Sequence, residues 1–105
     1  MKFFFFLFFI ATSAVASEQL NHLISIKDHK FEPNKIQVPA NTAFTLTIKN
    51  LDKTLEEFES DDLKKEKLVG AGKTITINVG PQKQGDYKFY GDFHQKTAQG
   101  IIEVR

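Results

Sequence analysis

The run Ala43-Phe44-Thr45-Leu46-Thr47-Ile48-Lys49 alternates apolar and polar residues with a period of two, and Thr74-Ile75-Thr76-Ile77-Asn78-Val79 repeats the pattern. A strand turns successive side chains to opposite faces, so Phe44, Leu46 and Ile48 form one apolar face and Ile75, Ile77 and Val79 another. Shorter stretches follow the same rule at His22 to Lys27, Lys35 to Val38, Tyr87 to Tyr90 and Gly100 to Val104. Pro33-Asn34, Pro39-Ala40-Asn41, Gly80-Pro81 and Gly85-Asp86 punctuate them with turn chemistry. This texture predicts an all-β fold, a Greek-key β-sandwich of about seven or eight strands. Ser60 to Val69 departs from it, and Ser60-Asp61-Asp62-Leu63 reads as the start of one or two helical turns.

The N-terminus has a different character. Met1-Lys2 is followed by the apolar block Phe3 to Ile10 and then by Ala11-Thr12-Ser13-Ala14-Val15-Ala16. A basic start, a short apolar stretch and an Ala-x-Ala ending make residues 1–16 a secretory signal peptide, with cleavage expected after Ala16. The apolar stretch is shorter than the roughly 20 residues that span a bilayer, so no membrane insertion is expected after cleavage. Residues 17–105 are then one small domain, read as monomeric. Loss of Lys2 leaves 13 basic residues against 13 acidic ones, which provides no electrostatic attraction for nucleic acid. The chain has no cysteine, hence neither disulfides nor a thiol for lipid attachment. The location expected for such a soluble exported domain is a bacterial periplasm.

Enzymatic chemistry finds little support in the motifs. There is no cysteine nucleophile, no Gly-x-Ser-x-Gly elbow, no phosphate-binding glycine loop and no His-Glu-x-x-His helix. The adjacent acids Glu56-Glu57 and Asp61-Asp62 would point to opposite faces of a strand, which does not suit a paired-carboxylate mechanism. A non-enzymatic role is expected. What remains is metal chemistry, because Gly85 to Val104 is a strand-loop-strand whose loop carries Asp92 and His94.

Two segments resemble the ligand-bearing parts of cupredoxins. Asn50-Leu51-Asp52-Lys53-Thr54-Leu55-Glu56-Glu57-Phe58 is similar to the cupredoxin stretch in which an asparagine ends a strand and a ligand histidine lies six residues on; Glu56 holds the histidine's place. Aligned on His94, the C-terminal loop has Gly91 where cupredoxins carry cysteine and Gln99 where they carry methionine. The strings Asp28-His29-Lys30-Phe31-Glu32-Pro33, Glu56-Glu57-Phe58-Glu59-Ser60 and Phe93-His94-Gln95-Lys96-Thr97-Ala98-Gln99-Gly100 resemble a periplasmic cupredoxin-like subgroup lacking the cysteine. That subgroup is similar to cupredoxin domains of bacterial iron-uptake systems. The resemblance implies handling of iron or copper beside an inner-membrane iron permease.

A blue-copper centre needs a cysteine thiolate, so the resemblance cannot extend to that chemistry. A pocket of Glu56 or Glu57, Asp92 and His94 offers mostly oxygen with one nitrogen, suited to Fe(III), Mn(II) or an ordinary Cu(II) site. Glu56 shares a strand face with Phe58 and is expected to point inward, leaving Glu57 on the other side. Asp92 has an alternative role as a turn former. His29, in an early turn, is a further candidate as ligand or ligand partner, and Gln99 could orient a ligand by hydrogen bonding. His22 is read as uninvolved, and Tyr87, Phe89 and Phe93 as packing. Metal binding of this kind should weaken as pH falls, since the donors must be deprotonated. The alternatives to metal handling are a metal-free module that docks a membrane partner through the acidic segment Glu56 to Asp62, and an electron-transfer protein.

Overall fold

The computed structural model describes residues 20–105. The expected signal peptide and its cleavage point lie outside the described residues. Nine strands follow in order: β1 (Asn21–Lys27), β2 (Lys30–Glu32), β3 (Lys35–Val38), β4 (Phe44–Asn50), β5 (Glu56–Ser60), β6 (Lys65–Val69), β7 (Thr74–Val79), β8 (Gly85–Gly91) and β9 (Gln99–Val104). A single 3-10 turn, Asp92–His94, separates β8 from β9. One sheet has the order β2-β1-β4-β7 and the other β3-β9-β8-β5-β6.

The alternation expected from sequence places the core. Ile24 and Ile26 of β1, Phe44, Leu46 and Ile48 of β4, and Ile77 and Val79 of β7 are buried between the sheets. Phe58, Val69, Phe89, Ile102 and Val104 meet them from the second sheet. Phe31, Phe58 and Phe89 form an aromatic group, with Phe31 edge-on to Phe89 at 4.9 Å between ring centres and Phe58 stacked on Phe89 at 5.3 Å. Each such ring removes apolar area from water worth about 1.5–3 kcal/mol, and the packing geometry adds to it. Gly100 faces this group: a side chain at 100 would overlap the ring of Phe89.

The segment after Ser60 is not helical. Residues 61–64 make a turn, and Lys65–Val69 pairs antiparallel with β5. The hydroxyl of buried Ser60 does accept the amide of Leu63 at 3.1 Å, as a helix cap would. Lys64 then takes a left-handed conformation, φ 56°, which ends any helix at once. Lys65-Glu66-Lys67 hid the strand because β6 is an edge, where charged residues protect an exposed ladder. Phe93, expected to pack, is instead 48% exposed.

The strand ends converge where β1 gives way to β2, β4 leads into β5, and β8 leads into β9. Asp28 and His29 connect β1 to β2 and both take positive φ, 52° and 57°. Two such residues form the tight turn whose twist matches a hairpin. The loop after β8 is tied at its base by Gly91 N–H donating to Ala98 O at 2.9 Å. Three loops therefore meet at one end of the sandwich.

Candidate metal centre

Glu56 begins β5 and is only 2% exposed, pointing inward with Phe58 as alternation requires. A buried carboxylate needs partners, and this one has three. Its Oε1 accepts the amides of Glu57 at 2.9 Å and Phe93 at 3.0 Å. Its Oε2 lies 2.5 Å from Nδ1 of His94, with one proton between them. The space for this carboxylate exists because residue 91 is glycine: a Cβ there would lie 2.7 Å from Glu56 Cδ. Glu56 thus fills the volume that a side chain on β8 would otherwise occupy.

His94 ends the 3-10 turn, and its carbonyl accepts the amides of Ala98 at 2.8 Å and Thr97 at 3.1 Å. The ring is held on both sides: Glu56 binds its edge, and His29 covers its face. The His29 and His94 ring centres are 3.6 Å apart with planes 13° from parallel. Donor atoms of His29, Glu56 and His94 all lie within 4.8 Å of one another.

His29 reaches this position through Asp52, a residue that sequence reasoning missed. The Asp52 carboxylate accepts the amides of Asp28 at 2.8 Å and His29 at 3.0 Å, clamping the left-handed turn. Its Oδ2 is 3.5 Å from His29 Nδ1, an ion-pair distance rather than a hydrogen bond. Burial opposes ionisation of Asp52, but the amides of His29 and Asp28 and the two imidazoles nearby outweigh it. The carboxyl is held below its ordinary value near 3.8. Asp52 is in turn placed by Asn50, whose side-chain oxygen accepts the Asp52 amide at 3.0 Å. The signal available in sequence was the pair Asn50-x-Asp52 at a strand end, a common side-chain-to-backbone turn pattern.

Asp92 and Glu57, expected beside His94 in the pocket, are not brought to it. They gather with Glu59 as a separate acidic group. The reason is the strand period: Glu57 and Glu59 alternate with inward Glu56 and Phe58 and so face outward. Asp92 joins them, its Oδ1 accepting from Gln95 Nε2 at 2.9 Å. Burial and then repulsion from Asp92, Glu66 and Glu57 push the Glu59 carboxyl up. Gln99 hydrogen-bonds the Gln95 carbonyl at 2.8 Å and makes no contact with His94 among those described. His22 sits at the far end of β1.

The resulting donor set is two imidazoles and one carboxylate. The chain has no cysteine, and its one methionine is Met1, so no sulfur of residues 20–105 can join. A blue-copper ion does not fit this chemistry; two histidines and one carboxylate are the residue types of the facial set used for non-haem Fe(II).

The model of the cupredoxin-like domain family matches residues 1–104, and the chain belongs to that family. It is 54% identical over 81 residues to an uncharacterized protein of Rickettsia prowazekii (strain Madrid E), an overlap of 77% of this chain and 65% of that protein's length. Among solved structures it is similar to the metal-binding domain of the Cu(I)-exporting P-type ATPase CopA of Streptococcus pneumoniae D39, with TM-score 0.73, 17% identity, and coverage of 81% of this chain and 84% of that one. Auracyanin A, a "blue" copper protein of Chloroflexus aurantiacus, gives TM-score 0.71 at 14% identity, covering 81% and 98%. A purple cupredoxin of Nitrosopumilus maritimus gives 0.61 at 20% identity, covering 80% and 99%. At these identities the likeness is one of fold, and the all-β sandwich expected from sequence is the cupredoxin-like one.

Proposed function

We propose that the protein binds a transition-metal ion, iron or copper, through His29, Glu56 and His94 at the loop end of the sandwich, as a carrier rather than an enzyme. The observation that supports this most is the convergence of two imidazoles and one buried carboxylate within 4.8 Å. Such a set favours Fe(II) or Cu(II) over Cu(I), which prefers thiolate and thioether sulfur. That the structural neighbours include a Cu(I)-exporter metal-binding domain and a blue copper protein supports a metal role. The sequence resemblance to iron-uptake cupredoxin domains supports a periplasmic accessory that passes its ion to an inner-membrane iron permease. Donor deprotonation couples capture to pH, so acid weakens binding.

The test is calorimetric or spectroscopic titration of the purified protein with Fe(II) under anaerobic conditions, and with Fe(III) and Cu(II), alongside His94→Ala. Saturable binding of one ion, lost in the variant, is the expected result. Equal binding by both proteins would overturn the assignment.

A second reading has its own observation. Glu56 already has three hydrogen-bond partners, so the group is satisfied as a structural bracket without an ion. In that case the module docks a membrane partner through the Glu56 to Asp62 segment. Added metal would then leave the thermal midpoint unchanged, and association with membrane proteins would weaken with salt.

A further inference from the structure

The His29–His94 stack is incompatible with both rings holding one ion at the same time. Imidazole lone pairs lie in the ring plane, and metal–nitrogen bonds are about 2.0–2.1 Å long. An ion midway between rings whose centres are 3.6 Å apart would sit up to about 1.8 Å out of each plane. Planes only 13° from parallel do not meet anywhere near the rings. One imidazole must turn before both can point their nitrogens at a shared ion.

The two rings are not equally free. His94 is bound at Nδ1 by Glu56, and its carbonyl takes two amides of its own loop. His29 has a buried Nδ1 with no hydrogen-bond partner, and 40% of its side chain is exposed. Its backbone, by contrast, is fixed, because the Asp52 carboxylate accepts the amides of both turn residues. Rotation about the side-chain bonds is therefore the motion open to His29, and it breaks no hydrogen bond.

We propose that His29 is a recruited ligand: its ring lies flat on His94 until an ion is captured, then swings out of the stack to complete a two-imidazole, one-carboxylate set, while Asp52 keeps its backbone still. This rests on the metal-binding reading above and adds the order of assembly. Glu56 Oε2 and His94 Nδ1 take the ion first, releasing to water the proton they share, and His29 closes on it. In its stacked position the ring shields one face of His94.

Zn(II) is a suitable diamagnetic probe. In protein stripped with chelator, stacking shifts the His29 and His94 ring protons upfield in NMR spectra, and His29→Ala abolishes the shift at His94. Addition of Zn(II) should remove these shifts in the parent. Pulsed EPR of the Cu(II)-loaded parent should count two imidazole ligands, and one in His29→Ala and in His29→Phe. The phenylalanine variant keeps a ring on His94 without a donor, which separates ligation from packing. Both variants should bind Zn(II) at least about ten-fold more weakly, since even residues behind a ligand cost 10–100-fold. Upfield shifts that persist in the loaded parent, or a single imidazole on its Cu(II), would overturn the recruitment of His29 while leaving metal binding intact. Failure of both ions to bind the parent would overturn both readings.

Discussion

A Cβ on residue 91 would lie 2.7 Å from the carboxyl carbon of Glu56 and 2.8 Å from Cβ of Ala98, so Gly91 and Glu56 are complementary halves of one packed volume. The carboxylate cannot give way freely, because Glu57, Phe93 and His94 all hold it. Gly91→Ala should therefore destabilise the protein by about 1–3 kcal/mol through overpacking. Glu56→Ala should be destabilising for a different reason, leaving two amides without their acceptor. The double variant should cost less than the sum by at least about 1 kcal/mol, as expected for groups in direct contact. Urea denaturation of the four proteins measures this; simple additivity would contradict the shared volume.

Asp52 links pH to stability in a defined direction. Its carboxyl is held below its ordinary value in the folded protein. A group so depressed stabilises the fold above its unfolded value of about 3.9, and the contribution disappears as pH falls through the folded value. Asp52→Asn should cost about 1–2 kcal/mol at neutral pH through weakened charge-assisted hydrogen bonds. The gap between parent and variant should stay constant from pH 7 to about 5 and narrow below about 4. A gap that widens in acid would assign the wrong sign.

Asn50 is fully buried and serves three partners: it donates to the Thr54 carbonyl at 2.8 Å and to the Val69 carbonyl at 3.1 Å, and accepts the Asp52 amide. Asn50→Ala strands these groups and should cost about 3 kcal/mol. It should also release the clamp on the His29 turn, visible as faster hydrogen exchange at the Asp28 and His29 amides. Unchanged exchange at those two sites would separate Asn50 from the metal end of the fold.

Tyr90 is pushed up to about 12, first by burial and then by Asp61 and Glu59. Its hydroxyl stands 3.4 Å from both Asp61 oxygens. A raised value means that the stabilisation is complete below the unfolded value of about 10 and is lost as pH rises through about 12. Ultraviolet titration of the parent against Tyr90→Phe should show a phenol ionising near 12 only in the parent. Asp61→Asn should bring that step down.

How much of this was visible in the chain depends on whether the signal was local. Strands β4 and β7 were plain because alternation is a property of consecutive residues. The inward turn of Glu56 came from the same rule, through Phe58. Strand β6 was missed because its outer positions carry Lys65, Glu66 and Lys67, and an edge strand need not alternate. The meeting of His29 with His94 lay beyond any local rule. It depends on a hairpin of two left-handed residues and on Asp52, which reaches that turn from the end of another strand. Asp92 and Glu57 were drawn toward the site by nearness in sequence to His94 and Glu56. Yet Glu57 faces opposite to Glu56 on β5, and Asp92 and His94 sit two positions apart in a 3-10 turn, which aims them in different directions.

Glu56 and His94 are 38 positions apart in the chain, and His29 lies earlier still. No stretch of unfolded chain presents these three groups together. An ion held by them would bind the folded protein alone, adding stability in proportion to the logarithm of its free concentration. Metal supply would then act as a brake on unfolding, and the protein would resist proteolysis best where its ion is abundant.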